Sequence, residues 1–358
     1  MTIRVVHVAS GREWRGGQKQ VWLLARALAR IGGVHQVVVT GRGSQLARRL
    51  AHDGVQTRLA TWRAGLDPRA LWATLRAARG DKPVILHAHD AHALTVAGVV
   101  SRLAGARLVV TRRVDFHLRH PGFWVRADRV IVISEAIRRI VVADGIPPER
   151  VTLVHSGIAV QEVRATPPHG IRRQLGIPHR GLVAVNVGAL VPHKDQATLI
   201  AAAGLLRDRL PNLYWIIAGE GELRPALERQ IGDLNLADRI VLLGQIPDAV
   251  PLIADADLFV SSSREEGLGT SLLDAMALRV PVIATRAGGV PEIVGDDAGV
   301  LVPVGNEAAL ADAIVHVATD PRARERILQA ASAVLGGFTD VGMAERVLGV
   351  YRSLVPDP

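Results

Sequence analysis

The 358-residue chain contains no cysteine, which excludes disulfides, thiolate chemistry and cysteine-ligated metal sites, and suits a cytosolic protein. No run of 18 uninterrupted apolar residues occurs despite 49% apolar content, so no membrane-spanning helix is expected. Met1 to Val8 passes straight into a strand-like pattern, without the charged and apolar regions of a secretory signal. The expectation is a cytoplasmic protein that either stays in solution or touches the inner face of the membrane peripherally. Aromatic residues make up 3% of the chain, too few for base-stacking platforms, and no groove-reading module is present. Nucleic acid is therefore not an expected partner. The G-x-G-x-x-G spacing of a dinucleotide fingerprint is also missing. Acidic residues are scarce in one half only: residues 1–165 hold 26 Lys and Arg against 11 Asp and Glu, whereas residues 166–358 hold 17 against 23. Such a surplus suits an anionic partner, either a membrane surface or a phosphorylated or lipid-linked acceptor; an Arg-rich composition alone would produce the same count. The basic residues concerned are Arg42, Arg48, Arg49, Arg63, Arg69, Arg112, Arg113 and Arg119, with Leu46 to Leu50 reading as an interfacial helix.

What is present is a recurring apolar run between helical stretches. Arg4–Ala9, Gln36–Thr40, Val84–His87, Arg107–Thr111, Arg129–Ile133 and Val151–His155 form one series. Leu182–Val187, Leu213–Ala218, Ile240–Leu243 and Leu258–Ser261 begin a second. Continuous apolar strands alternating with helices imply parallel sheets covered on both faces. Pro167-Pro168-His169-Gly170 reads as the linker between the two series. The expected layout is an N-terminal domain over 1–165, a second domain over 171–338, and a final helix within 339–358.

Residues 261–294 are the most informative segment. Glu265 and Glu266 precede the turn Gly267-Leu268-Gly269-Thr270, then Ser271 to Leu278 reads as a helix and Val280 to Thr285 as a buried strand. A helix beginning after so slim a loop offers free N–H groups and its positive dipole end to an anion. Glu266 lies before that turn and Asp274 eight positions later, so two hydroxyl-binding carboxylates flank the cradle. The pattern suits a sugar nucleotide: diphosphate in the middle, sugar at one end, ribose at the other.

This segment resembles the nucleotide-sugar signature of retaining glycosyltransferases of family 4. The resemblance extends over nearly the whole chain. It implies an α/β chain of GT-B architecture: two Rossmann-like domains with parallel sheets facing a central cleft, the last helix returning to the first domain. It further implies that Glu266 contacts donor-sugar hydroxyls and that Asp274, where the family has Glu, contacts the ribose. Asp is one methylene shorter, a loss of reach of about 1.5 Å. The family's Gly-Arg, four residues, Lys pattern places Lys194 on the diphosphate, but Ala189 stands where the Arg belongs. Arg264 is the candidate substitute. Gly219-Glu220-Gly221 corresponds to a loop beside the nucleoside, so Gly219 and Gly221 join the donor set with Gly267, Leu268, Gly269 and Thr270. Gly16 and Gly17, between the first strand and a helix over Lys19–Ile31, correspond to a loop that closes over the diphosphate.

At the first domain the family carries a histidine near the reacting carbon; the aligned position here is Arg113, with Arg112, Asp115 and His117 nearby. His87-Ala88-His89-Asp90 ends a strand where open α/β sheets bind ligands. A zinc reading of His87 and His89 lacks a third spaced histidine, so no metal is expected. Expected catalytic residues are Glu266, Arg113 and His89; Asp90, Arg112 and Asp115 are expected at the acceptor. Asp255-Ala256-Asp257 matches a metal-binding Asp-x-Asp but lies at the wrong end of its strand. The reading is transfer of a sugar from a nucleoside diphosphate sugar, as co-substrate, to a glycan, lipid-linked or small-molecule acceptor in envelope or polysaccharide biosynthesis. A sugar-nucleotide epimerase on the same architecture is one rival, and a basic nucleic-acid or anionic-surface binding protein is another.

Overall fold

The computed structural model describes residues 3–62, 66–80, 84–118 and 121–355. Two compact units are present, one formed by Met1–Ala159 with Phe338–Pro358 and the other by Val160–Gly337.

The first unit holds seven parallel strands: β1 (Ile3–Ala9), β2 (Val34–Gly41), β3 (Thr57–Ala60), β4 (Val84–Ala88), β5 (Arg107–Arg112), β6 (Arg129–Val132) and β7 (Val151–Leu153). Their order is β3-β2-β1-β4-β5-β6-β7. Val5, Val6 and Val8 on β1 are all buried, as expected of a strand with helices on both faces. The order reverses between β1 and β4, where His7 stands level with His87. The helix Asp340–Leu354 belongs to this unit and packs on the helix Gly16–Ile31. Its Met343, Val347, Leu348 and Tyr351 share a core with Leu23, Leu24, Leu28 and Ile85. The chain comes back beside Gly157, where a Cβ would lie 2.3 Å from the Thr339 carbonyl oxygen, so only glycine fits.

The second unit holds six parallel strands: β8 (Leu182–Val187), β9 (Leu213–Ala218), β10 (Ile240–Gly244), β11 (Leu258–Ser261), β12 (Val282–Thr285) and β13 (Val300–Val302), in the order β10-β9-β8-β11-β12-β13. Trp215, Leu199, Leu258 and Ile314 fill its core. This order reverses between β8 and β11.

Two expectations need correction. The helix Gln45–His52 is not interfacial: Leu46 and Leu50 are buried in a cluster with Val21, Val38 and Val55. Its Arg49 lies over the rings of Trp14 and Trp22 at 4.3 and 5.2 Å rather than facing outward alone. The first unit ends at Ala159 and not at 165, because the short helix Val160–Arg164 buries Val163 and packs on the helix Thr270–Ala277 of the second unit. Arg63 and Arg119 lie outside the described residues.

Candidate active site

Open α/β sheets bind ligands beyond the carboxyl ends of their strands, at the point where strand order reverses. In the second unit that point lies after β8 and β11, and both loops are held together there. Asn186 of β8 donates to the Val260 carbonyl at 2.8 Å, and the Arg264 backbone N–H donates to the His193 carbonyl at 2.8 Å. The result brings Lys194 and Glu266 into direct contact, the Lys194 ammonium donating to Glu266 Oε2. Their side chains keep 22% and 18% of their exposure, so the pair is partly desolvated but reachable.

Asp195, next to Lys194, sits in the left-handed region at φ 49° and caps the helix Gln196–Leu206 by accepting from the Thr198 N–H at 3.4 Å, and it also accepts from Thr198 Oγ1 at 2.8 Å. Its Oδ2 also takes the Arg264 Nε at 2.8 Å, which fixes a half-exposed guanidinium beside the same loop. A Cβ on Gly305 would stand 3.4 Å from that guanidinium. Arg264 is therefore oriented, not free, and it adds a cation close to the Lys194 loop.

Gly267, Leu268 and Gly269 are buried and Thr270 opens the helix Thr270–Ala277. Gly269 is required: φ is 87°, and a Cβ would lie 2.5 Å from Leu272. No side chain caps this helix. Asp274 is 5% exposed within it. Gly219 and Gly221 have a packing reason of their own, since Cβ atoms there would stand 1.8 and 2.3 Å from the carbonyl oxygens of Gly188 and Leu190. They let the β9 loop lie against the β8 loop, backbone to backbone. Gly16 and Gly17 differ: a Cβ at either meets nothing within 4 Å.

Asp255 and Asp257 are structural. Asp255 accepts from the Ile171 N–H at 3.1 Å, while Asp257 accepts from the Val183 N–H at 2.8 Å and from Arg172.

The reversal point of the first unit has a different character. His7, which the sequence reading did not connect with His87 and His89, is the third histidine there. His7 Nδ1 lies 2.9 Å from His89 Nε2, and the His87 and His89 ring centroids are 4.1 Å apart. His87 meets the Tyr351 hydroxyl at 2.6 Å through Nδ1 and Thr111 Oγ1 at 2.7 Å through Nε2. Burial holds His7 down at about 4, with Arg113 lowering it further against a contact from Gln36, and it holds His87 and His89 well below the ordinary range. The three rings are thus neutral near pH 7. Their ligand atoms lie within 4.8 Å of one another, a spacing that could accept a metal. Both nitrogens of His87 are already engaged, however, and the Arg113 guanidinium stands beside the group, so the donor set fits a hydrogen-bonded relay better than a cation site.

Arg113 donates to the His89 carbonyl at 3.1 Å and lies 3.2 Å from His89 Nδ1. Burial lowers its pKa to about 10, so it keeps its charge. Of the expected acceptor residues, Asp90 accepts from Ser10 N at 2.8 Å and Ser10 Oγ at 2.5 Å and caps the helix Ala91–Ala104 through Ala93 N at 2.8 Å. Arg112 lies 5.3 Å over Trp124 and donates to the Phe116 carbonyl. His117 is occupied by Asp144 at 2.6 Å. Asp115 is partly buried in the same loop.

Two family models match the chain: "Glycosyltransferase Family 4" over residues 14–162 and "Glycosyl transferases group 1" over 169–334. Together they span most of its length. The chain belongs to glycosyltransferase family 4. Among relatives of this family 4 member, alpha-D-kanosaminyltransferase of Streptomyces kanamyceticus is 31% identical over 188 residues, covering 51% of this chain and 48% of that one. The chain thus spans about half the length of that relative. The UDP-Gal:alpha-D-GlcNAc-diphosphoundecaprenol alpha-1,3-galactosyltransferase of Escherichia coli is 23% identical over 310 residues, covering 81% and 80%. Among solved structures, Anabaena HepE in complex with UDP and glucose superimposes with a TM-score of 0.84 at 21% identity, covering 98% of this chain and 99% of that one. The fold is GT-B, as the family 4 resemblance implied.

Proposed function

We propose that this family 4 member transfers a glycosyl group from a nucleoside diphosphate sugar to an acceptor hydroxyl, with retention of anomeric configuration. The observation that carries the reading is the meeting of Lys194 with Glu266 at the β8/β11 reversal point, next to the uncapped helix beginning at Thr270. A cation, free helix N–H groups and a carboxylate side by side complement a diphosphate and a sugar hydroxyl respectively. In this assignment the diphosphate displaces part of the Lys194–Glu266 pairing, Arg264 supplies the second cation, Glu266 turns to the donor sugar and Asp274 to the ribose. HepE, which shares the fold, was crystallised with UDP and glucose.

The anomeric C–O bond to the diphosphate breaks as the acceptor oxygen bonds the same carbon, and the acceptor proton passes to a leaving phosphate oxygen. Stabilising the departing diphosphate and orienting the acceptor supply the acceleration. Lys194, Arg264 and the helix end offset the phosphate charge, so the reaction as proposed needs no metal. The acceptor is a glycan or lipid-linked sugar met by the loops after β4 and β5, where Arg113 and His89 stand. The E. coli relative is named for a diphosphoundecaprenol-linked acceptor. The setting proposed is envelope or polysaccharide biosynthesis on the cytoplasmic side. No helix among the described residues is long and apolar enough to cross a membrane.

Incubation with a panel of UDP-, GDP- and ADP-sugars should release nucleoside diphosphate from one donor class, and Glu266→Ala should slow the release about a hundredfold. Conversion of the donor sugar into its C2 epimer, or release unaffected by Glu266→Ala, would contradict the reading.

A further inference from the structure

β5, β6 and β7 are consecutive in the first sheet and parallel, so their amino ends form a row on the edge opposite the reversal-point loops. Arginines crowd that row. Arg107 opens β5, Arg129 opens β6, Arg150 immediately precedes β7, and Arg126 comes from the turn leading into β6. With Asp128, and with Ser353 and Leu354 from the end of the last helix, they line a polar cavity of about 360 Å³. Four arginines and a single acidic residue therefore line it.

That carboxylate is already committed: Asp128 Oδ2 accepts from the Leu108 N–H at 2.8 Å and Oδ1 from Arg107 at 3.0 Å. Arg129 donates to the Asp128 carbonyl at 3.0 Å and Arg150 to the Val125 carbonyl at 2.9 Å, each through a single nitrogen. Arg126 lies 6.0 Å from the Phe123 ring centroid. Backbone carbonyls position Arg129 and Arg150 without neutralising them, and like charges lining one cavity repel unless an anion joins them.

We propose that this cavity is a second anion site, built for the phosphate group of a small phosphorylated molecule or lipid headgroup and separate from the donor site. Guanidinium groups match phosphate oxygens in pairs, and several converging from adjacent strand ends can hold a phosphate from more than one side. The volume leaves room for a phosphate carrying a glycerol- or sugar-sized remainder; ligand pockets commonly start near about 300 Å³. The site also accounts for part of the basic surplus of the first half of the chain.

Calorimetric titration of the full chain with pyrophosphate tests the proposal in a Lys194→Ala background, which weakens the donor site. Pyrophosphate should still bind, Arg126→Ala should weaken it about tenfold, the loss expected for one charge-assisted contact, and Arg107→Ala with Arg126→Ala should remove it. Nucleoside diphosphate affinity should be unchanged by Arg126→Ala in the otherwise natural chain. Glycerol 3-phosphate and vesicles containing phosphatidic acid then separate the sources: binding of the first alone assigns a soluble ligand, and Arg126-dependent binding of the second assigns a headgroup. Absence of pyrophosphate binding in the Lys194→Ala background, or binding indifferent to both arginine substitutions, would overturn the proposal without touching the donor assignment.

Discussion

The two reversal points share a topology and differ in nearly everything else. After β8 and β11 stand Lys194, Glu266 and Arg264, charged and partly exposed, beside a helix end with no cap. On β1 and β4 stand His7 and His87, fully buried, with His89 beside them and both nitrogens of His87 taken up by Tyr351 and Thr111. The fold places both constellations, but solvent and charge decide what each can do. One is poised to exchange internal contacts for a ligand; the other is a dry scaffold that fixes Arg113 through His89.

Acidification should separate the two regions most strongly. His7 is neutral in the fold until about 4, while an unfolded histidine titrates at 6.5. Stability from its burial is complete above pH 6.5 and is lost as pH falls from there toward 4, because only the unfolded chain gains the proton in that window. The loss is about 3 kcal/mol for a group shifted this far, with His87 and His89 acting in the same direction. Hydrogen exchange corrected for intrinsic rates should show protection falling in the first unit between pH 7 and 5 and holding in the second. Equal loss in both would break the contrast.

Next in size is Glu266→Ala. Transfer should fall about a hundredfold, the equivalent of about 3 kcal/mol for a lost charged contact, with free nucleotide affinity retained. Steady-state kinetics beside a binding titration would check it; loss of nucleotide affinity would mean that Glu266 acts by positioning Lys194. Asp274→Asn should weaken nucleotide binding by about 1–3 kcal/mol if the buried carboxylate reaches the ribose. An unchanged affinity would mean the ribose is held elsewhere. Smallest is Tyr351→Phe, which leaves His87 Nδ1 without its partner and should cost about 1–2 kcal/mol of first-unit stability by chemical denaturation, with donor binding untouched.

Most strands were legible because continuous apolar runs mark buried parallel strands wherever they occur. Thr57–Ala60 and Val300–Val302 escaped notice: both are short edge strands, and the first exposes Leu59. The strand after the motif starts at Val282 and not at Val280, since Pro281 has no N–H to give to a ladder. Lys194 and Glu266 were singled out through their likeness to the family 4 motifs, and the structure places the two side chains in contact. Asp195 was overlooked although Asp195 and Thr198 carry the signature of a helix cap, and that cap is what aims Arg264. His7 could not be found from spacing. It meets His87 only because β1 and β4 are neighbours in register, and strand order is a property of the whole sheet. Likewise the arginines at the amino ends of β5 to β7 lie up to 43 positions apart in the chain and converge only in the fold.

The central claim is that the charged reversal point of the second unit receives a nucleoside diphosphate. Titration calorimetry of UDP, GDP and ADP against the natural chain and Lys194→Ala tests it most directly. The account predicts that one nucleotide binds the natural chain and that Lys194→Ala weakens it about tenfold to a hundredfold, the range for a charge-assisted contact. Equal affinity in the two proteins, or no binding by any of the three, would contradict it.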